Sequence, residues 1–355
     1  MSAKRLRMII GIALTAISVS LSFSPAPVSA GPVATEYYAC SKAGQLSRFT
    51  TAPQTCPSSR TAVSGAFLGA DFSGADLFRG TFNGVDLSGA NLTNARLTSA
   101  ILSYANLSNS TLANAKLRNA DLSNANFTNA NLSQANFTNA DLRGATLTGT
   151  NLTGTNLTNA KLAGVISGGI TGSPVLPSGW SLIGGYLVGP GADLTNANFT
   201  WADLTGADLR NVNLTGAQFY FATLTNTDFR GSNLTNTTIV YATITGADFR
   251  GTNLSGISTS DNTGIPAQLP IGWRLVNGWL VGPGANLTNA DFTGVTMKNV
   301  NLSGANLTNV VLTGTRLGVA NLTGADLTNV VSGGITGNPT LPPGWALVGG
   351  YLVTS

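Results

Sequence analysis

The chain has 355 residues, no histidine, two cysteines and only 9% charged residues, against 43 Gly and 14 Pro. That inventory leaves no His for acid–base work or nucleophile activation, and too few soft ligands for a metal centre. Three of the 18 Lys+Arg (Lys4, Arg5, Arg7) fall in the first 30 residues, so the rest carries 15 bases against 14 acids, or +1, which predicts no basic binding surface.

Lys4, Arg5 and Arg7 precede an apolar run from Met8 to about Phe23, then Val28-Ser29-Ala30. This is the plan of a secretory signal peptide over 1–30, cleaved after Ala30, and it predicts an extracellular or cell-surface location. The run is short for a membrane span, and no later stretch is apolar enough for one. Residues 31–64 hold Cys40 and Cys56 and follow no repeat. In an exported chain the two cysteines predict a disulfide, contributing about 3 kcal/mol in the loop-closure picture. The stapled segment would act as a β-hairpin cap over open strand edges.

From residue 65 the chain settles into fives, as in Ala120 to Asn139: ADLSN, ANFTN, ANLSQ, ANFTN. An apolar residue at every fifth position walks around all faces of a 3.6-residue helix and leaves no stripe to bury, so helix is excluded. On an extended segment Ala125 and Phe127 point the same way and Asn126 the other. Thr128 and Asn129 are turn formers, so each pentad is one short side and one corner. Forty-two such units centre on Phe67 to Leu162, Leu194 to Leu254 and Leu287 to Leu327. Arg210, Arg230 and Arg250 recur every twenty residues, as do Trp201, Phe221 and Tyr241, which fits four sides per coil.

With this pattern the chain resembles the pentapeptide-repeat family. The resemblance implies an all-β fold, a right-handed quadrilateral β-helix. Some cytosolic members mimic DNA and act on DNA gyrase through acidic surfaces, a role that does not carry over to a nearly neutral, exported chain. Residues 31–64 likewise resemble a small Cys-bounded module that precedes repeats in exported bacterial proteins.

The repeat blocks, 65–166, 192–256 and 285–331, are punctuated by inserts at 167–191, 257–284 and 332–355. Each insert carries Leu-Pro, then Gly-Trp (Trp180, Trp273, Trp345), then an apolar run split by Gly184-Gly185, Asn277-Gly278 or Gly349-Gly350. Those dipeptides predict β-hairpins, the last of them a C-terminal cap. Their aromatics, with Tyr186, Trp279 and Tyr351, either plug the coil below or project to bind a sugar or a protein.

Twelve of thirteen Asp stand just before a pentad centre, so they follow from the repeat rather than from chemistry, and no catalytic residue is assigned. Asp208, Asp228 and Asp248 sit two residues before the Arg column, predicting a self-compensated face without nucleic-acid affinity. Trp201, Phe221 and Tyr241, with Tyr220 beside them, are read as outward rings about 5 Å apart. Thr205, Thr225 and Thr245 form an outward ladder that ordinary repeats need in any case. The sequence thus predicts an exported, non-enzymatic binding or structural module without cofactor or metal. Its candidate partners are a cell-wall glycan or an envelope protein, and end-to-end or face dimers stay open. The competing readings are a passive spacer and, further off, a polysaccharide-active enzyme or an ice-binding protein.

Overall fold

The computed structural model describes residues 67–355 and, upstream, the backbone of β1 (Tyr38–Lys42), β2 (Gln45–Thr50) and β3 (Thr61–Ser64). These three strands form an antiparallel sheet in the order β2-β1-β3, so the hairpin expected there gains a third strand. The predicted signal segment, and Cys56 with the Cys40–Cys56 disulfide expected of it, lie outside the described residues. Backbone contacts divide the chain into two compact units. One runs up to Lys161 and includes Ile170–Pro177, and the other comprises Leu162–Gly169 and Ser178–Ser355.

The pentad works as the sequence demands. In the first unit Leu122 and Ala125 close a corner through the Ala125 N–H donating to the Leu122 carbonyl at 3.0 Å, with Asn124 at φ +57°. A positive φ at the third residue alone is the pattern of a type II turn, which explains why Asn or Gly ends most pentads. Asp121 accepts the corner N–H of Ser123 at 3.1 Å, an Asx turn that the Asn or Asp of most other pentads repeats. Coils pair through parallel bridges twenty residues apart, such as Ile101 with Asp121 and Asp121 with Asp141. Four sides close one coil. Phe127, Leu122 and Ala125 are fully buried, and the other centres and their small partners line the same narrow core.

The second unit follows the same rule and adds hairpins. β4 (Ser181–Ile183) pairs antiparallel with β5 (Tyr186–Val188). β6 (Thr238–Val240) and β7 (Ser258–Ser260) pair in parallel on neighbouring coils. β8 (Arg274–Val276) and β9 (Trp279–Val281) make a second hairpin. β10 (Arg316–Gly318) lies parallel to β11 (Thr336–Gly337), and β12 (Trp345–Val348) with β13 (Tyr351–Thr354) makes the third hairpin. All three turns have positive φ at both central residues, for example +47° and +79° at Asn277 and Gly278, as a two-residue hairpin of this twist requires.

The repeat pattern stops at Ile257, yet the backbone path does not. Thr263 and Gln268 still bridge Thr243 and Asp248, and Ser258 next meets Asn286, 28 residues on rather than twenty. The coil is lengthened, and its extra residues fold inward as β8 and β9. Leu280 joins the core of residues 188–280 while Val281 joins that of 281–352, with Trp273 against both, so this hairpin is a septum between two cores. Polar groups inside the coil fasten it. The Leu280 N–H donates to Thr259 Oγ1 at 2.8 Å, and buried Asn262 donates Nδ2 to the Gly278 carbonyl at 3.0 Å and to the Ile239 carbonyl at 2.9 Å. Equivalent hydroxyls, Ser167 and Ser332, accept from Leu187 and Leu352 at 3.0 Å each.

Candidate functional site

The fold sorts the predicted residues by burial. The insert aromatics Trp180, Tyr186, Trp273, Trp279 and Trp345 are half-buried against the second unit's cores; only Tyr351 is exposed. A Cβ at Gly189 or Gly282 would run into the Trp180 or Trp273 ring, so each Gly-Pro-Gly passes directly under its tryptophan. Tyr186 accepts the Asn198 N–H at 3.1 Å and its ring lies 5.1 Å from Phe199. Of the two readings left open for these rings, the packing matches the plug.

Trp201, Phe221 and Tyr241 stand instead at corners, 72%, 40% and 53% exposed, with φ of +63°, +56° and +55°. A bulky side chain in this region is uncommon, and Asn or Gly holds most of the other corners. Trp201 and Phe221 lie 4.3 Å apart and 7° from parallel; Phe221 and Tyr241 lie 5.0 Å and 9°. Tyr220 flanks them, also exposed. The column continues to Asp261, at φ +52°, beside the turn of the second hairpin. Because the rings stack on one another, their faces are spent on mutual contact. What the column presents is a ribbon of ring edges, with a free ring face only at an end.

The Arg column is compensated as the spacing predicted. Arg210, Arg230 and Arg250 each grip the Asp two residues earlier through Nη2 at 2.6 to 2.7 Å, and the Arg210 and Arg230 Nε reach the next coil's Asp at 3.8 and 3.9 Å. The bond from Arg210 to Asp208, and its counterparts at Asp228 and Asp248, hold these carboxyls below the usual carboxylate range. Among the described residues no group of three His, Cys, Asp or Glu could hold a metal ion. Nor is any described helix long and apolar enough to cross a membrane.

The coil geometry has a counterpart among known proteins. The model of the family "Pentapeptide repeats" matches in eight copies, over residues 66–94, 90–129, 130–166, 192–231, 217–256 and 285–329, more than half of the chain. The chain belongs to the pentapeptide-repeat family. As a pentapeptide-repeat protein it has a right-handed β-helix, and its described residues are all-β. Among solved structures it is similar to HetL of Nostoc sp. strain PCC 7120, a pentapeptide-repeat protein involved in heterocyst differentiation regulation. That match is 23% identical, covers 75% of this chain and 87% of HetL, and has a TM-score of 0.27. Rfr23 of Cyanothece 51142 is 39% identical over 29% of this chain and 64% of its own, at a TM-score of 0.16. No curated protein matches the chain. Family membership gives this pentapeptide-repeat protein a solenoid scaffold; its outward side chains, which the repeat does not dictate, are where individuality resides.

Proposed function

We propose that this pentapeptide-repeat protein is an exported, non-enzymatic binding module whose Trp201–Phe221–Tyr241 column docks an envelope protein. Export rests on the basic and apolar signal pattern of residues 1–30. The observation that carries the binding role is three consecutive left-handed corners occupied by large exposed rings. The fold requires only Asn or Gly there, and a ring in water at a strained φ is unfavourable to stability taken alone. A stacked ribbon presents apolar edges, which suit a protein surface. A glycan would need open ring faces, and Trp201, the most exposed of the three, favours that second reading at one end of the column.

Chain 31–355 and a Trp201→Asn/Tyr241→Asn variant, whose new residues fit a positive φ, would be compared for retention by envelope proteins and by insoluble wall polysaccharide. Protein-dependent retention lost in the variant supports the reading. Polysaccharide retention lost in the variant transfers the site to glycan, and equal retention of both chains by every fraction sinks it.

A further inference from the structure

One face of the first unit gathers charge that the sequence disperses. Asp76, Arg96 and Lys116 are consecutive rungs of a single parallel ladder, with coils about 4.8 Å apart. Arg118 stands two residues beyond Lys116 on the same side of its coil, and Arg79 occupies the corner that follows Asp76 and Phe78. All four cations are exposed, and the one carboxylate among them, Asp76, accepts from Arg96 Nη1 at 3.1 Å. Lys116 and Arg118 make no ion pair with a described residue. The face therefore carries four positive charges against one negative, although the chain beyond residue 30 is balanced to within one unit.

Two details set it apart from a merely solvated face. Arg79 has φ +53°, a conformation in which most corners of this chain use Asn or Gly. The exposed Phe78 ring lies under two guanidiniums, Arg96 at 4.5 Å and Arg79 at 5.1 Å, which holds both cations in place. Further along, the same face continues as Asn136 and Thr138 with the corner amides Asn119 and Asn139, joined at 3.1 Å. Cations followed by amides and hydroxyls match a chain that bears both carboxylates and hydroxyls.

We propose that this face binds an acidic polysaccharide laid along the coils, its carboxylates on Arg79, Arg96, Lys116 and Arg118 and its hydroxyls on the neighbouring Asn and Thr side chains. Duplex DNA fits less well: proteins that hold it tightly neutralise roughly six to ten phosphates, and here the excess is three charges. Single strands call for open aromatic faces, and the Phe78 ring already carries two guanidiniums. This surface shares no residue with the ring column.

The test is binding of chain 31–355 to immobilised polygalacturonate, neutral dextran and duplex DNA at about 50 and 200 mM salt. The variants are Lys116→Glu/Arg118→Glu, Arg79→Asn and the Trp201→Asn/Tyr241→Asn pair, each checked for an unchanged Tm. Polygalacturonate should retain the native chain at low salt and release it at high salt, and dextran should not retain it. The double Glu variant should bind at least about tenfold more weakly, Arg79→Asn less severely, and the ring variant as the native chain does. Absence of polygalacturonate binding, undiminished binding by the double Glu variant, loss in the ring variant or tighter binding to DNA would each overturn the proposal.

Discussion

Stacked rings occur both inside the coils of the second unit and on their corners. Inside, Phe199 and Phe219 lie 5.2 Å apart and 16° from parallel, and Phe229 and Phe249 4.9 Å and 6°. Outside, Trp201, Phe221 and Tyr241 stack at nearly the same spacings. The coil repeat imposes the geometry on both, so stacking by itself says nothing about purpose. Environment separates them. The inner rings are fully buried and exclude water from the axis, whereas the outer ones leave half of their surface in solvent and occupy corners where Asn would sit without strain.

The sharpest way to break this comparison is to remove a ring from each stack. Phe219→Ala should destabilise the second unit by about 3 to 5 kcal/mol, read by denaturant unfolding, because the narrow core cannot collapse around the void. Thr259→Val comes next. It leaves the Leu280 N–H without its acceptor inside the coil and should cost about 1 to 3 kcal/mol, with faster hydrogen exchange at Leu280 as the local signature.

Acid should act more gently and only on the outer surface. Asp208, Asp228 and Asp248 are held below the usual carboxylate range, first by the Arg bond each accepts. A depressed folded-state pKa means that their contribution is present above the unfolded value of about 4 and fades as pH falls through the lower folded one. The Tm should therefore be level from neutrality to about pH 5 and decline below pH 4, and less steeply in an Asp228→Asn/Arg230→Gln variant. The smallest effect on stability is expected from Trp201→Asn/Tyr241→Asn, within about 0.5 kcal/mol of the native chain, while partner binding is lost. A loss as large as that of Phe219→Ala would make the outer stack part of the fold and remove its claim to be a site.

Much of this was legible in the letters. Period five yields two inward positions per side, recurrence at twenty yields four sides, and Gly-Gly or Asn-Gly yields the hairpin turns, because each is a local backbone requirement. The Asp208–Arg210 pairing was readable for the same reason, since the partners share one pentad. What escaped depends on contacts between coils whose pattern the sequence does not repeat. Thr259 and Asn262 look like ordinary loop polars, and only the inward course of β8 and β9 makes them fasteners. Arg79, Arg96, Lys116 and Arg118 occupy three different pentad positions, so no column of the sequence groups them. A net charge near zero beyond residue 30 then concealed the face that the coil assembles.

Asn262 also settles a question of counting. A stack of near-identical coils has translational symmetry: a slip of twenty residues returns every Leu, Phe and Ala to an equivalent place, and hydrophobic burial alone hardly distinguishes the two registers. Asn262 occupies an inward position held by Ala in the three preceding coils, at Ala202, Ala222 and Ala242. The preceding coil gives its amide two partners, the Ala242 N–H donating to Oδ1 at 3.0 Å and the Ile239 carbonyl accepting from Nδ2 at 2.9 Å, and only the hairpin gives the third, the Gly278 carbonyl at 3.0 Å. One coil out of step, the amide would lose that hairpin partner and leave a buried N–H unpaired, so the registers would cease to be degenerate. The septum therefore acts as a datum mark, fixing the coil at which Trp201, Phe221 and Tyr241 must appear.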